Sequence, residues 1–293
     1  MQLVSLFVLE IVKIYIRLVN LNKLYAKVAI TNTIVLVLTA FLLALKFEGI
    51  GYVLSLSFVP LFVAIYYIIK LKLLIKKPVF KPSFNLKEFL SYGMFSSLGG
   101  VLSQLLYAVD ILLIGNIIMD SESLVAQYKV SNILPFSFLF LALVFMKTDF
   151  VQLANKSKTD KTFIKNYYFN YLKIFSVISI GIVAFFFVFS KYLILLFGSA
   201  YTEENNLMFI FSIGVMGALL FRVPLGNILS AIGWPKINTL NSFIILLLNI
   251  GFSYVFIVKY GIVGAALVTA ALMWISGFLS LFAFWWYLKK DEI

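Results

Sequence analysis

The sequence predicts an all-α, polytopic membrane protein, and three observations carry that expectation. First, 63% of the 293 residues are hydrophobic and 12% are charged, with mean hydropathy +1.05. A soluble domain is nearer half apolar and a quarter charged. Second, the apolar runs reach about 20 residues or more without strict alternation, which selects helices over a closed barrel. Those two are the only folds that satisfy the backbone within lipid. Third, lysine-rich and lysine-poor connections alternate along the chain.

Hydropathy places about nine spans, at roughly 3–20, 27–46, 50–71, 88–117, 124–146, 167–190, 206–231, 237–258 and 262–288. In the first, Glu10, Lys13 and Arg17 are spaced three and four apart on one face, a pattern for local pairing. The second and third read KVAITNTIVLVLTAFLLALKFEGIGYVLSLS. The fourth carries Asp110 inside an apolar run, and Tyr92, Ser96, Gly99, Ser103, Tyr107 and Asp110 share one helical stripe. An intramembrane carboxylate faces protein or a wet cavity. The stripe is therefore either one wall of a pathway or a packing face of small residues.

The fifth span brings Lys129 and, one turn on, Asn132, with Pro135 bending the helix beyond them. Asp110 and Lys129 flank the turn near Asp120 at similar distances, so the two are expected level and paired, the alternative being Lys129 reaching alone to headgroups. In the seventh span Arg222 stands beside Pro224. A guanidinium at a kink suits a phosphate or acidic sugar, or else clamps the carbonyls that proline frees. The eighth and ninth spans read KINTLNSFIILLLNIGFSYVFIVKYGIVGAALVTA. Trp285, Trp286 and Tyr287 before Lys289 form an interfacial anchor.

Orientation follows from the lysines. The connections holding Lys23 and Lys27, Lys70 to Lys87, Lys147 to Lys173, Lys236, and Lys289 and Lys290 belong on the cytoplasmic side. The others hold Lys46, Lys191 and Lys259 with Glu48, Asp120, Glu122, Glu203 and Glu204. The C-terminus is then cytoplasmic and Met1 external, which implies an odd number of spans upstream. A weak repeat points the same way. Lys27, Asn32, Gly49 and Gly51 match Lys236, Asn241, Gly261 and Gly264, with a three-residue insertion. A same-direction repeat implies two lobes. Residues 1–77 are a partial first lobe of three helices, 78–87 a cytoplasmic linker, and 88–293 a complete six-helix second lobe.

Chemistry is bounded by absence. There is no cysteine and no histidine, so disulfides, Cys or His metal sites and a His general base are excluded. No cofactor and no metal is expected, and the net charge of +12 reflects topology rather than nucleic acid.

DILLIG at Asp110–Gly115, the Val125–Tyr128 turn, AIGWPKIN at Ala231–Asn238, the LLLN run ending at Asn249, and YGIVGAAL at Tyr260–Leu267 carry a resemblance to the polysaccharide flippases of the multidrug/oligosaccharidyl-lipid/polysaccharide exporter superfamily. It implies family helices four to twelve, located in a bacterial cytoplasmic membrane. The implied activity is translocation of lipid-linked oligosaccharide, on an undecaprenyl-type carrier, by alternating access for O-antigen or capsule biosynthesis. The absence of the first three helices puts independent transport in question. Implied partners are the bilayer, a missing N-terminal fragment and other polysaccharide-assembly proteins. Cavity-facing candidates are Arg222, Lys129, Asp110, Asn132, Ser103 and Tyr107. The alternatives are a cation-coupled drug extruder of the same superfamily, an inactive remnant or one part of a split transporter, and a membrane glycosyltransferase or polymerase. The basic intramembrane groups favour an anionic substrate, and the short external connections disfavour an enzyme.

Overall fold

The computed structural model describes residues 1–19, 21–71, 85–119, 121–157, 159–198 and 206–289. Every regular element among them is helical: α1 (Gln2–Leu18), α2 (Asn22–Lys70), α3 (Leu86–Ile117), α4 (Glu122–Ser137), α5 (Leu139–Lys156), α6 (Lys161–Leu195), α7 (Leu207–Gly217), a π-helical turn (Ala218–Arg222), α8 (Val223–Ala231) and α9 (Pro235–Lys289). Among the described residues, six continuous helical stretches are long and apolar enough to cross a membrane. The chain divides into two compact units, Met1–Phe84 and Asn85–Ile293. The linker expected over residues 78–87 lies outside the described residues, except for its last three positions.

Two of the six stretches are not straight rods. Thr31 Oγ1 and Tyr67 OH lie 3.4 Å apart although 36 residues separate them within α2. A straight helix would hold them about 54 Å apart. The chain therefore doubles back, and the break is at Glu48, where φ is 49° and ψ is −131°. In α9, Asn241 Nδ2 donates to Ser280 Oγ at 2.9 Å across 39 residues. The break there is Gly261, with φ 60° and ψ −145°. Each of these helices is a hairpin of two antiparallel arms.

The two hinges share one construction. A shift of 213 residues carries Glu48 to Gly261, Gly51 to Gly264, Leu43 to Phe256, and the helix start Asn22 to Pro235. In both, the second glycine lies so close to the other arm that a Cβ would strike a carbonyl oxygen at 2.1 Å, that of Leu43 or of Phe256. The expected repeat therefore needs correcting in register. Gly51 does correspond to Gly264, but the hinge counterpart of Gly261 is Glu48, not Gly49, and no insertion is needed. The lysine and asparagine matches had pulled the pairing out of phase.

In the first unit, α1 packs on α2 through Leu9, Val12, Ile16, Val28, Val63 and Tyr67. The Ser5 hydroxyl, fully buried between α1 and α2, donates to the Ser57 carbonyl. The expected pairing in α1 is present, with Lys13 Nζ 2.7 Å from Glu10 Oε1.

In the second unit, α3 lies along the first arm of α9. Phe95 meets Thr239, Ser103 meets Ser242, and Asp110 meets Asn249 and Ser253, at separations of 144, 139, 139 and 143 residues. A nearly constant separation means that the two run parallel; an antiparallel pair would lose about two residues per step. α3 begins with Asn85 accepting from the Lys87 backbone N–H, and α6 with Asp160 accepting from that of Phe163. The bend expected at Pro135 is a helix break at Phe138, between α4 and α5. Helix α5 continues to Lys156, into residues that hydropathy assigned to a polar connection. Hydropathy senses the lipid boundary, not the helix end. Tyr287, expected as part of an interfacial anchor, is instead buried and donates to the Ser157 carbonyl at 2.7 Å.

Glu48 holds a backbone conformation that favours glycine. Replacing Glu48 with Gly should stabilise the chain by about 1 kcal/mol, because a positive-φ side chain costs that much. A thermal unfolding scan in detergent should show a higher Tm than wild type; a lower Tm would mean that the Glu48 side chain holds the hinge.

Candidate functional site

The polar stripe of α3 faces the first arm of α9, and a cavity of about 430 Å³ opens beside it. Its wall is built from Ser96, Ser103 and Tyr107 of α3, Arg222 at the end of the π-turn, and Asn238 and Ser242 of α9. Ser103 and Ser242 hydroxyls are 3.1 Å apart.

Arg222 is held by neutral partners. Its Nη1 donates to Asn238 Oδ1 at 3.2 Å and its Nη2 to the Ser242 hydroxyl at 2.9 Å. No acidic side chain pairs with it among the described residues. A guanidinium offers five donors, and the two named bonds leave directional capacity toward the cavity.

The π-turn positions that side chain. Pro224 has no N–H for the carbonyl of Leu220 four residues back. Tyr168 OH donates to that carbonyl at 3.3 Å, and Tyr171 OH donates to the carbonyl of Leu219 at 2.8 Å. The clamp on freed carbonyls, considered above for Arg222, is thus supplied by two tyrosines of α6. Arg222 is left to the cavity.

Asp110 lies below the cavity floor and is 2% exposed. Its Oδ1 accepts from Asn249 Nδ2 and the Ser253 hydroxyl, both at 3.1 Å. Its Oδ2 accepts from Tyr128 OH at 2.7 Å and from the Thr269 hydroxyl. Asn249 and Thr269 also line the cavity, so the floor and the carboxylate share side chains. Asn249 Oδ1 is buried and unpartnered. One carboxylate among amide and hydroxyl oxygens is a set that can take a proton or a small hard cation. No cluster of three or more His, Cys, Asp or Glu exists among the described residues.

The expected pairing of Asp110 with Lys129 is corrected. Asp110 is bound by Tyr128 instead, and Lys129 is exposed. The two helices do bring these residues level. One residue along a helix is a turn of about 100°, and the face that α4 presents to α3 carries Tyr128. Lys129 and the half-buried Asn132 are not part of the cavity wall. Arg222, Ser103 and Tyr107 are brought together, with Asp110 beneath them. Tyr128, Asn249, Ser253 and Thr269 were missed as a set. The detectable signal was Asn249 and Ser253, two polar residues four apart on one face of an apolar run.

The fold defines a helical protein whose helices are long and apolar enough to cross a membrane, with a polar cavity in its second unit. No family profile matches the chain, and no solved structure matches it. Among curated proteins, it is 34% identical over 96 residues to "Capsular polysaccharide biosynthesis protein CapF" of Staphylococcus aureus. The match takes in 33% of this chain and 23% of that protein. It links the sequence to polysaccharide biosynthesis.

If hydrogen bonds rather than an ion pair hold Asp110, Asn249→Leu should destabilise by about 1–3 kcal/mol. Lys129→Gln should leave the unfolding temperature unchanged. A Lys129→Gln variant as unstable as Asn249→Leu would contradict this assignment.

Proposed function

We propose that the chain is part or all of a membrane transporter that moves a phosphate-bearing, lipid-linked oligosaccharide across a bacterial cytoplasmic membrane for surface-polysaccharide synthesis. In this reading the chain crosses nine times. The arms of α2 and α9 count separately at their hinges, α1 spans once, and α4 with α5 forms one bent span. The first unit is an incomplete lobe and the second a six-span lobe. The lysine-rich ends face the cytoplasm.

The observation that carries the reading is Arg222: a guanidinium facing a polar cavity, held by Asn238 and Ser242, with no acidic partner among the described residues. A charge kept within an apolar bundle without a counter-charge is expensive and marks a pathway. Phosphate, like carboxylate, matches the planar fork of a guanidinium. The sequence link to a capsular polysaccharide biosynthesis protein supports a role in polysaccharide synthesis. The chain contributes positioning and charge rather than catalysis.

One observation favours a second reading, a cation-coupled extruder. The Asp110 shell ties α3, α4 and both arms of α9 to one carboxylate, so a cation or proton there would bias how these helices pack. Ion-gradient dependence that survives Asp110→Asn would count against it.

The expected outcome for the first reading is loss of polysaccharide export by Arg222→Ala at normal membrane abundance, with partial recovery by Arg222→Lys. Export at the wild-type rate in the alanine variant would end the assignment of substrate contact.

A further inference from the structure

A second, larger cavity of about 990 Å³ lies at the N-terminal ends of α3 and α9. Lys87 and Lys236 bring charge to it, and Trp234 and Trp286 form an aromatic wall with ring centroids 5.4 Å apart. Glu88 is the acid that faces it, and Asn85 Nδ2 donates to Glu88 Oε1 at 3.2 Å.

The two cavities are neighbours. Phe95 and Pro235 line both. Between them stand two contacts that join α3 to the α8–α9 turn. Tyr92, in the larger cavity, donates through its hydroxyl to the carbonyl of Ser230, in the smaller one, at 2.9 Å. Lys236 Nζ lies 5.0 Å from the centre of the Phe95 ring. Beside Pro235, the partition is one aromatic ring, one hydroxyl contact and one cation over a ring face. The last three can part without unfolding a helix.

We propose that the larger cavity is a vestibule that receives the phosphate head of a lipid before it reaches Arg222, with Lys87 and Lys236 as the first anion contacts and Phe95 and Tyr92 as the partition. The proposal rests on the transporter reading given above. An anion over Lys236 competes with the Phe95 ring for the ammonium, so arrival of the phosphate would itself loosen the partition. Trp234 and Trp286 suit the boundary depth at which a lipid phosphate sits. Next along the path, Ser96 and Asn238 lead from Phe95 to Arg222.

The chain has no cysteine, so Ser91→Cys, in the vestibule wall, can be labelled uniquely with an environment-sensitive fluorophore. The full chain is placed in phosphatidylcholine nanodiscs and titrated with farnesyl diphosphate. The expected result is a saturable emission shift whose half-saturation weakens about tenfold in Lys87→Gln/Lys236→Gln, the loss of charge-assisted contacts. Arginine at both positions should restore it. An unchanged half-saturation in the glutamine variant overturns the vestibule. An equal response to inorganic pyrophosphate overturns its assignment to a lipid-borne phosphate. The same shift on replacing phosphatidylcholine with phosphatidylglycerol, without diphosphate, overturns it in favour of a structural phospholipid site. Arg222→Gln should keep the Ser91→Cys shift while losing export. Export retained in that variant would end the assignment of Arg222 as a substrate contact and leave the binding result standing.

Discussion

A polar group surrounded by apolar helices has to find its partners inside the protein, and most of the second unit is arranged to meet that demand. Unsatisfied groups cost several kcal/mol in hydrocarbon. Asp110 meets the demand through four neutral donors from α4 and both arms of α9. The carbonyls freed around Pro224 meet it through Tyr168 and Tyr171. Asn241 meets it by donating to the Ser276 carbonyl and the Ser280 hydroxyl, which also closes the α9 hairpin. Arg222 meets it only in part, through Asn238 and Ser242. Asn249 Oδ1, at the same cavity, is likewise left without a partner; Arg222 differs in bringing a charge to the cavity wall.

The two hinges show how the same backbone device serves different ends. Both hairpins turn through a positive-φ residue, followed three residues later by a glycine at the crossing. In the second unit the arms carry Asn249, Ser253 and Thr269, which bind Asp110. The 213-residue shift places Leu36, Ala40 and Leu56 at those points in the first unit. The polar shell is thus a property of the second hairpin's sequence and not of the hairpin fold. The first hairpin uses Thr31 and Tyr67 at its arm contact and an apolar core elsewhere.

What could be read beforehand follows the same physics. Composition and run length dictate helices because the bilayer admits little else, and every regular element described is a helix. The α3 stripe was visible as a period of polar residues, and it does face protein and the cavity. The partner of Asp110 was not visible. Distance from a turn fixes depth along a helix, whereas azimuth depends on packing against a third element, and here Tyr128 took the place expected for Lys129. The repeat was legible at Gly51 and Gly264, but identity at Lys27 and Asn32 misled its register. The π-turn left no mark in the sequence beyond Pro224, because its stabilising tyrosines come from another helix.

The central claim is that the cavity beside Arg222 admits water and a lipid-borne anion. Ser96 lines that cavity, and a single cysteine there can be labelled in an otherwise cysteine-free chain. The most direct measurement is the rate at which a water-soluble thiol reagent modifies Ser96→Cys in membranes, with and without a polyprenyl diphosphate or the corresponding neutral polyprenol. The account predicts modification that the diphosphate slows and the polyprenol does not. No modification, or equal protection by both lipids, would contradict it.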